Sequence, residues 1–265
     1  MKLSTNNRFA NTGALSVTSD DDAAQDIDNI ENFGFDALYS SAGTASTFTI
    51  LKTFSGSNRF PGSYVAVSGH NFGDDAGSIE IKVNTVSKGV VSFSAGRSHD
   101  VMVTFDEISL VNRIEIIYTK TVSGFRGIVA FVAAGQAIDV PNPGGLTGAV
   151  AGGEQAGYRR DWLTRHQNFL TTRNDQAAPV AVIKRAEANT LTLNIPNITR
   201  DFGDSPWQTF LDHAFDAGAF MLRERDDDAL SSYLCTSPDN ARIAAHAATP
   251  NLVRAQISFT AYTGV

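Results

Sequence analysis

A chain of 265 residues with 42% hydrophobic and 18% charged side chains has the composition of a folded protein, long enough for one large or two ordinary domains. Its formal charge is −7, with 10 basic and 15 acidic residues before Pro141 and 11 and 13 after it; neither half is suited to steering onto nucleic-acid phosphates. The single Cys235 excludes an intramolecular disulfide and a thiolate-rich zinc site. No signal-peptide core and no run near the roughly 18 apolar residues of a membrane span are found, so a soluble, cytosolically made protein is expected.

Residues 1–46 are rich in Ser, Thr, Asn, Asp and Ala, with Asp20, Asp21 and Asp22 followed by Asp26, Asp28 and Glu31. Such a run reads as a solvated loop before a calcium site, because the Asp-x-Asp-x-Asp-Gly loop is missing. From Thr47 the pattern turns to period two. Strands are predicted at 48–54, 64–68, 78–84, 90–93, 101–105, 113–119 and 127–133. Ile79, Ile81 and Val83 share one face of the third of these while Glu80 and Lys82 share the other, which is a strand between core and water. Seven short strands without room for crossover helices predict a β-sandwich of jelly-roll type over residues 1–140.

Residues 141–153 hold two prolines, five glycines and no charge, and read as a linker. Beyond it, residues 154–265 predict a second β-rich domain. Strands are expected at 178–188, 189–195, 219–222, 231–235 and 253–262. A single amphipathic helix, about 205–217, should cover them: Ser205 is placed to cap, Pro206 to start and Gly218 to stop it. Trp207, Phe210, Leu211, Ala214 and Phe215 form its apolar stripe. The fold class is thus all-β to α+β.

Catalytic signatures are looked for and not found. There is no phosphate-binding glycine loop, no nucleophile elbow and no His-Glu-x-x-His, and the five histidines are dispersed, so no cofactor or metal is expected and the chain reads as a non-enzyme. Ser98-His99-Asp100 holds triad residue types, but strand neighbours point to opposite faces, and it reads as a turn. His213 lies off the helix stripe and reads as solvated or capping. Two groups of binding candidates remain. Arg59, Phe60, His70, Asn71 and Arg97 could gather at the sandwich rim around a sugar, although His70 and Asn71 read more simply as fixing a turn. Tyr158, Arg159, Arg160, Trp162 and Arg165 combine Arg with aromatics after the linker, as subunit interfaces do, and read nearly as well as a salt-bridged surface strand.

Several runs carry a resemblance: Asn32 into Leu38-Tyr39-Ser40-Ser41, Val65 to Gly73 with its Gly69-His70-Asn71, Ile114 to Tyr118, and Ile128 to Gly135 before the exit to Pro141. This pattern resembles the galactose-binding-like (discoidin-type) jelly roll, in the version found in bacteriophage tail and baseplate proteins. The order of strands, then Trp207 to Ala214, then Ala219 to Leu222, resembles the companion domain of those proteins, with Ala219-Phe220 where they tend to carry Pro-Phe. The resemblance implies a structural virion protein of a tail tip or baseplate, synthesised in the host bacterial cytoplasm and located in the tail. Its implied partners are other tail proteins, a homo-oligomeric ring of threefold or sixfold symmetry, and a host glycan. The alternatives are a carbohydrate-binding or adhesion module and, less well supported by the residues, a glycan-degrading enzyme with paired acids.

Overall fold

A computed structural model describes residues 1–31, 38–94, 100–141, 164–173, 179–245 and 251–262. The chain divides into two compact units, one built from Met1–Asp139 with Ala219–Leu234, the other from Val140–Gly218 with Cys235–Thr263. Apart from Pro141, the expected linker lies outside the described residues.

The first unit opens with β1 (Lys2–Ser4) and β2 (Ala14–Ser19), strands that the polar composition of residues 1–46 hid. Next come β3 (Tyr39–Ser40), β4 (Thr47–Thr53), β5 (Phe60–Ser68) and a one-turn helix α1 (Phe72–Asp75). They are followed by β6 (Ser78–Val83), β7 (Val86–Ser92), β8 (Val101–Val111) and β9 (Arg113–Thr119). β10 (Ile128–Val129), β11 (Phe131–Gly135) and β12 (Ala137–Asp139) complete the series. A five-stranded sheet of order β2-β4-β9-β6-β7 and a three-stranded sheet of order β11-β5-β8 enclose the core, with a small β10-β3 pair beside them. Phe48, Ile50, Ile79, Ile81, Ile114 and Ile116 of the larger sheet meet Val65, Val67, Val101, Val103 and Val132 of the smaller. The predicted sandwich is therefore present, and its alternating strands bury the faces the sequence marked.

Two predicted breaks are hairpins instead. β6 and β7 join through Asn84 and Thr85, whose φ angles of 51° and 71° suit a two-residue turn matched to strand twist. The Asn84 side chain stabilises it: Oδ1 accepts from the amides of Asn112 and Arg113, and Nδ2 donates to the Leu110 carbonyl. β8 likewise runs on past Phe105 to Val111 before turning into β9.

The outer face of the smaller sheet is also apolar. Tyr64, Ala66, Met102, Phe131 and Ala133 are covered by Ala219, Met221 and Leu234. These belong to β15 (Ala219–Arg223), which pairs with β1, and to the start of β16 (Ser232–Ala245). The 219–222 strand assigned from sequence to the second domain thus joins the first unit, because that sheet has two apolar faces to bury.

The second unit holds β13 (Thr164–Arg173), β14 (Pro179–Thr199), helices α2 (Arg200–Asp204) and α3 (Pro206–Ala217), the rest of β16, and β17 (Leu252–Tyr262). β14 is one strand where two were expected. Its register shifts between Ile195 and Ile198, the stretch that holds Pro196, which cannot donate to the ladder. β17 alternates as predicted, with Val253, Ala255, Ile257, Phe259 and Ala261 buried. The single covering helix is a pair: α2, capped by Thr199 accepting from the Phe202 amide, packs on β14 and β17, and α3 packs on α2. α3 starts at Pro206 and stops at Gly218 (φ 66°), but Ser205 makes no side-chain cap. Trp207, Phe210, Leu211 and Ala214 are buried while Phe215 is 48% exposed, so the apolar stripe is narrower than its spacing suggested.

Candidate functional site

A concavity of the first unit arises where β5 and β8 lose register. Gly62 pairs with Ile108 but Tyr64 with Thr104, so Phe105, Asp106 and Glu107 oppose Ser63 alone. Extra residues of this kind bend a strand and re-aim its side chains. Here they leave a cleft of about 230 Å³, walled on the other side by Lys2, Ala137 and Asp139. Ser63 Oγ accepts from the Ala137 amide at 2.9 Å, which ties β12 to this edge.

The lining is polar and largely held in place. Lys2 Nζ lies 2.5 Å from Asp139 Oδ1, and Gln136 Nε2 donates to Glu107 Oε2 at 3.2 Å. Arg223 Nη1 donates to Thr104 Oγ1 at 2.6 Å, while its other nitrogens donate to the carbonyls of Arg225 and Asp226. Burial pulls the Arg223 guanidinium below its usual acidity range, opposed by Asp226, Asp228 and Asp227. Phe105 is half-buried, with Lys88 Nζ 5.7 Å from its ring centroid. The cleft can thus offer hydroxyls, carboxylates and one ammonium to a small hydroxylated ligand.

The rim site expected from sequence does not assemble. Arg59 and Phe60 sit at the start of β5, and His70 and Asn71 follow its end, separated by a nine-residue strand of roughly 30 Å. Arg59 is exposed, but Phe60 is 4% exposed and packs edge-on to Phe54 with centroids 5.0 Å apart, so its ring face is not offered to a ligand. His70 is buried, stacked on Phe72 at 4.6 Å, and its Nδ1 accepts from the Phe72 amide. Asn71 accepts from the Ile128 amide and donates to the Arg126 carbonyl, so this pair does fix the local turn. Arg97 lies outside the described residues, as do Tyr158, Arg159, Arg160 and Trp162; Arg165 lies in β13.

Three acidic residues of the first unit, Asp20, Asp75 and Asp100, take structural roles that sequence reasoning did not assign to them. Asp20, expected to be solvated, is 7% exposed with φ 61°. It accepts from the amides of Gly43, Thr44 and Ala45 and from Lys120 Nζ, so its cation is a lysine. Asp75 accepts from Tyr118 Oη at 2.7 Å and from the amides of Thr121 and Val122. Asp100, read as part of a turn, bridges to Ser232; it accepts from Ser68 Oγ, Gly69 N and Leu234 N. Ser98 and His99 lie outside the described residues. The signal for these roles, donors arriving from loops 20 to more than 100 residues away, is absent from local sequence. Among the described residues no group of three or more His, Cys, Asp or Glu could hold a metal ion, and no helix is long and apolar enough to cross a membrane.

No protein-family profile matches the chain, nor does any curated protein sequence. Several solved structures are similar to it. A GH29 fucosidase from Ruminococcus gnavus, in complex with fucose, is 8% identical over 52% of this chain and 28% of its own, with a TM-score of 0.42. Chitosan-binding module 1 of a chitosanase/glucanase from Paenibacillus sp. IK-5 is 11% identical over 48% of this chain and 96% of its own, with a TM-score of 0.38. The CBM32-1 and CBM32-2 domains of Clostridium perfringens ZmpB are 13% identical over 48% and 34%, with a TM-score of 0.36. The chain thus spans little more than a quarter of the fucosidase.

Proposed function

We propose that the first unit binds a glycan without turning it over, and that the cleft at the β8 bulge is where it does so. One observation carries this reading: a concavity of about 230 Å³ whose wall is made of the Ser63 and Thr104 hydroxyls, the Asp106, Glu107 and Asp139 carboxylates and the Lys2 ammonium. The volume is below the roughly 300–1,000 Å³ of pockets for drug-sized ligands, which suits a single sugar ring. Asp139 is engaged by Lys2 and Glu107 by Gln136. Carboxylates held this way are anchors for sugar hydroxyls. Titration calorimetry of the whole chain against a panel of mono- and oligosaccharides should find at least one ligand. Glu107→Ala should weaken it about tenfold or more, the loss of one charge-assisted hydrogen bond. Absence of binding to every sugar at millimolar concentration would end this reading.

A second reading, a structural subunit of a bacteriophage tail tip or baseplate, is favoured by the burial of the outer face of the β11-β5-β8 sheet under Ala219–Leu234. That burial builds a segment from late in the chain into the first unit, as a part made for an assembly would be braced. In this reading the partners are other tail proteins in a threefold or sixfold ring, and the glycan belongs to the host surface. Cryo-electron microscopy of purified particles tests it: density for the chain in a symmetric tail-tip ring supports it, and a particle without the chain rejects it.

A further inference from the structure

β14 serves two partners along its length. It pairs with β17 over Ala188–Thr199 and with β13 over Pro179–Thr190. Residues 179–187 therefore have β13 on one side and, among the described residues, no strand on the other. Among the described residues β13 pairs with β14 alone and ends the strand order. The result is a two-stranded arm of nine β14 residues, roughly 30 Å at 3.3 Å per residue, whose outer edges meet no further strand among the described residues. An isolated two-stranded hairpin is marginal in water, and an open edge of this length is a template for another strand.

The distribution of charge says what that partner is. Residues 164–190 carry four Lys or Arg against two Asp or Glu, net +2, whereas the other 238 residues are net −9. A basic arm on an acidic chain is complementary to a second copy of the same chain.

We propose that the β13–β14 arm donates strand pairing to a neighbouring copy, its edge adding to a sheet edge of that copy's acidic remainder. Arm and remainder are different surfaces, so the contact either closes as a reciprocal exchange between two copies or repeats head-to-tail into a ring or filament. Nothing in this proposal uses the glycan cleft, and its failure would leave the glycan reading intact.

The test is light scattering on the full chain across concentration, at low salt and at about 1 M salt, joined to amide hydrogen exchange over 164–173. The chain should associate at low salt, associate about tenfold or more weakly at high salt, and protect the β13 amides as association proceeds. Lys184→Glu with Arg185→Glu should weaken association while leaving the thermal midpoint within a few degrees. A monomer at every concentration overturns the proposal, and so does an oligomer whose β13 amides exchange as in the monomer or that is indifferent to the charge reversal.

Discussion

The corner around Asp20 and the strand end around Asp100 are both shielded from solvent, at 7% and 3% exposure, but Asp100 lies deeper in the protein, and their carboxyls end with opposite acidities. Burial pushes both up. At Asp20 the Lys120 ammonium, with the Ala45 amide, the Ser41 hydroxyl and the Thr44 amide, outweighs it and holds the carboxyl well below the usual range. At Asp100 the Ser68 hydroxyl and the Leu234 and Gly69 amides offset it only in part, and the group is pushed up to about 6. Asp100 has only neutral donors, but so has Asp75, whose carboxyl is nevertheless held below the usual range, against burial, by Tyr118, Thr121 and Val122. The number of donors set against the depth of burial therefore decides the ionisation, and a cation adds to it at Asp20. The difference also divides the work, since Asp20 ties the loops at 43–45 to Lys120 whereas Asp100 ties the 219–234 insertion to the sandwich.

The strongest way to break this contrast is Lys120→Met, which leaves Asp20 buried without its cation. Breaking a buried pair from one side costs about 3–5 kcal/mol, so urea unfolding should show a loss of that size, and Asp20→Asn in the same background should recover part of it. A loss below about 1 kcal/mol would mean that the amides alone hold Asp20.

Next in size is a pH effect. Folding raises the Asp100 value from 3.8 to about 6, so folding favours its acid form. Its contribution is fully present below about 4 and is lost as pH rises through 6, on the order of 3 kcal/mol in all. Asp20 behaves in the opposite sense: its contribution is present above the ordinary carboxylate range and lost as pH falls through its lower folded value. Asp100→Asn should therefore flatten the stability profile between pH 4 and 7 relative to the parent chain, as read by denaturant midpoints. A profile unchanged by the substitution would show that Asp100 does not titrate there.

The smallest expected effect is that of Ser68→Ala, which removes one of three donors to Asp100. It should cost about 1 kcal/mol near neutral pH and move the acid limb of the profile upward, because one bond favouring the charged form is gone. A downward movement would contradict the account of Asp100.

Much of the fold was legible because it rests on local periodicity. Ile79, Ile81 and Val83, and the run from Val253 to Ala261, bury the faces their alternation marks, and Pro206 and Gly218 bound α3 as expected. The failures share a cause. Phe215 obeys the spacing of the α3 stripe but stays 48% exposed, and Phe60 looked like an exposed ring although Phe54 packs against it. The cleft was invisible because it depends on three residues of β8 opposing one of β5, a property of the pair and not of either strand.

Alone, the sequence determined strands such as β6 and β17, the α3 helix and the acid balance, since backbone propensity, side-chain period and charge are carried by neighbouring residues. By contrast, β1, β2 and β13 carried no such signal. Tertiary structure decided that 219–234 closes the first unit, that Asp20 meets Lys120 across 100 residues, and that Ser63 faces the β8 bulge. Those outcomes depend on which surfaces meet, and burial and pairing between distant segments leave no period in the chain to read.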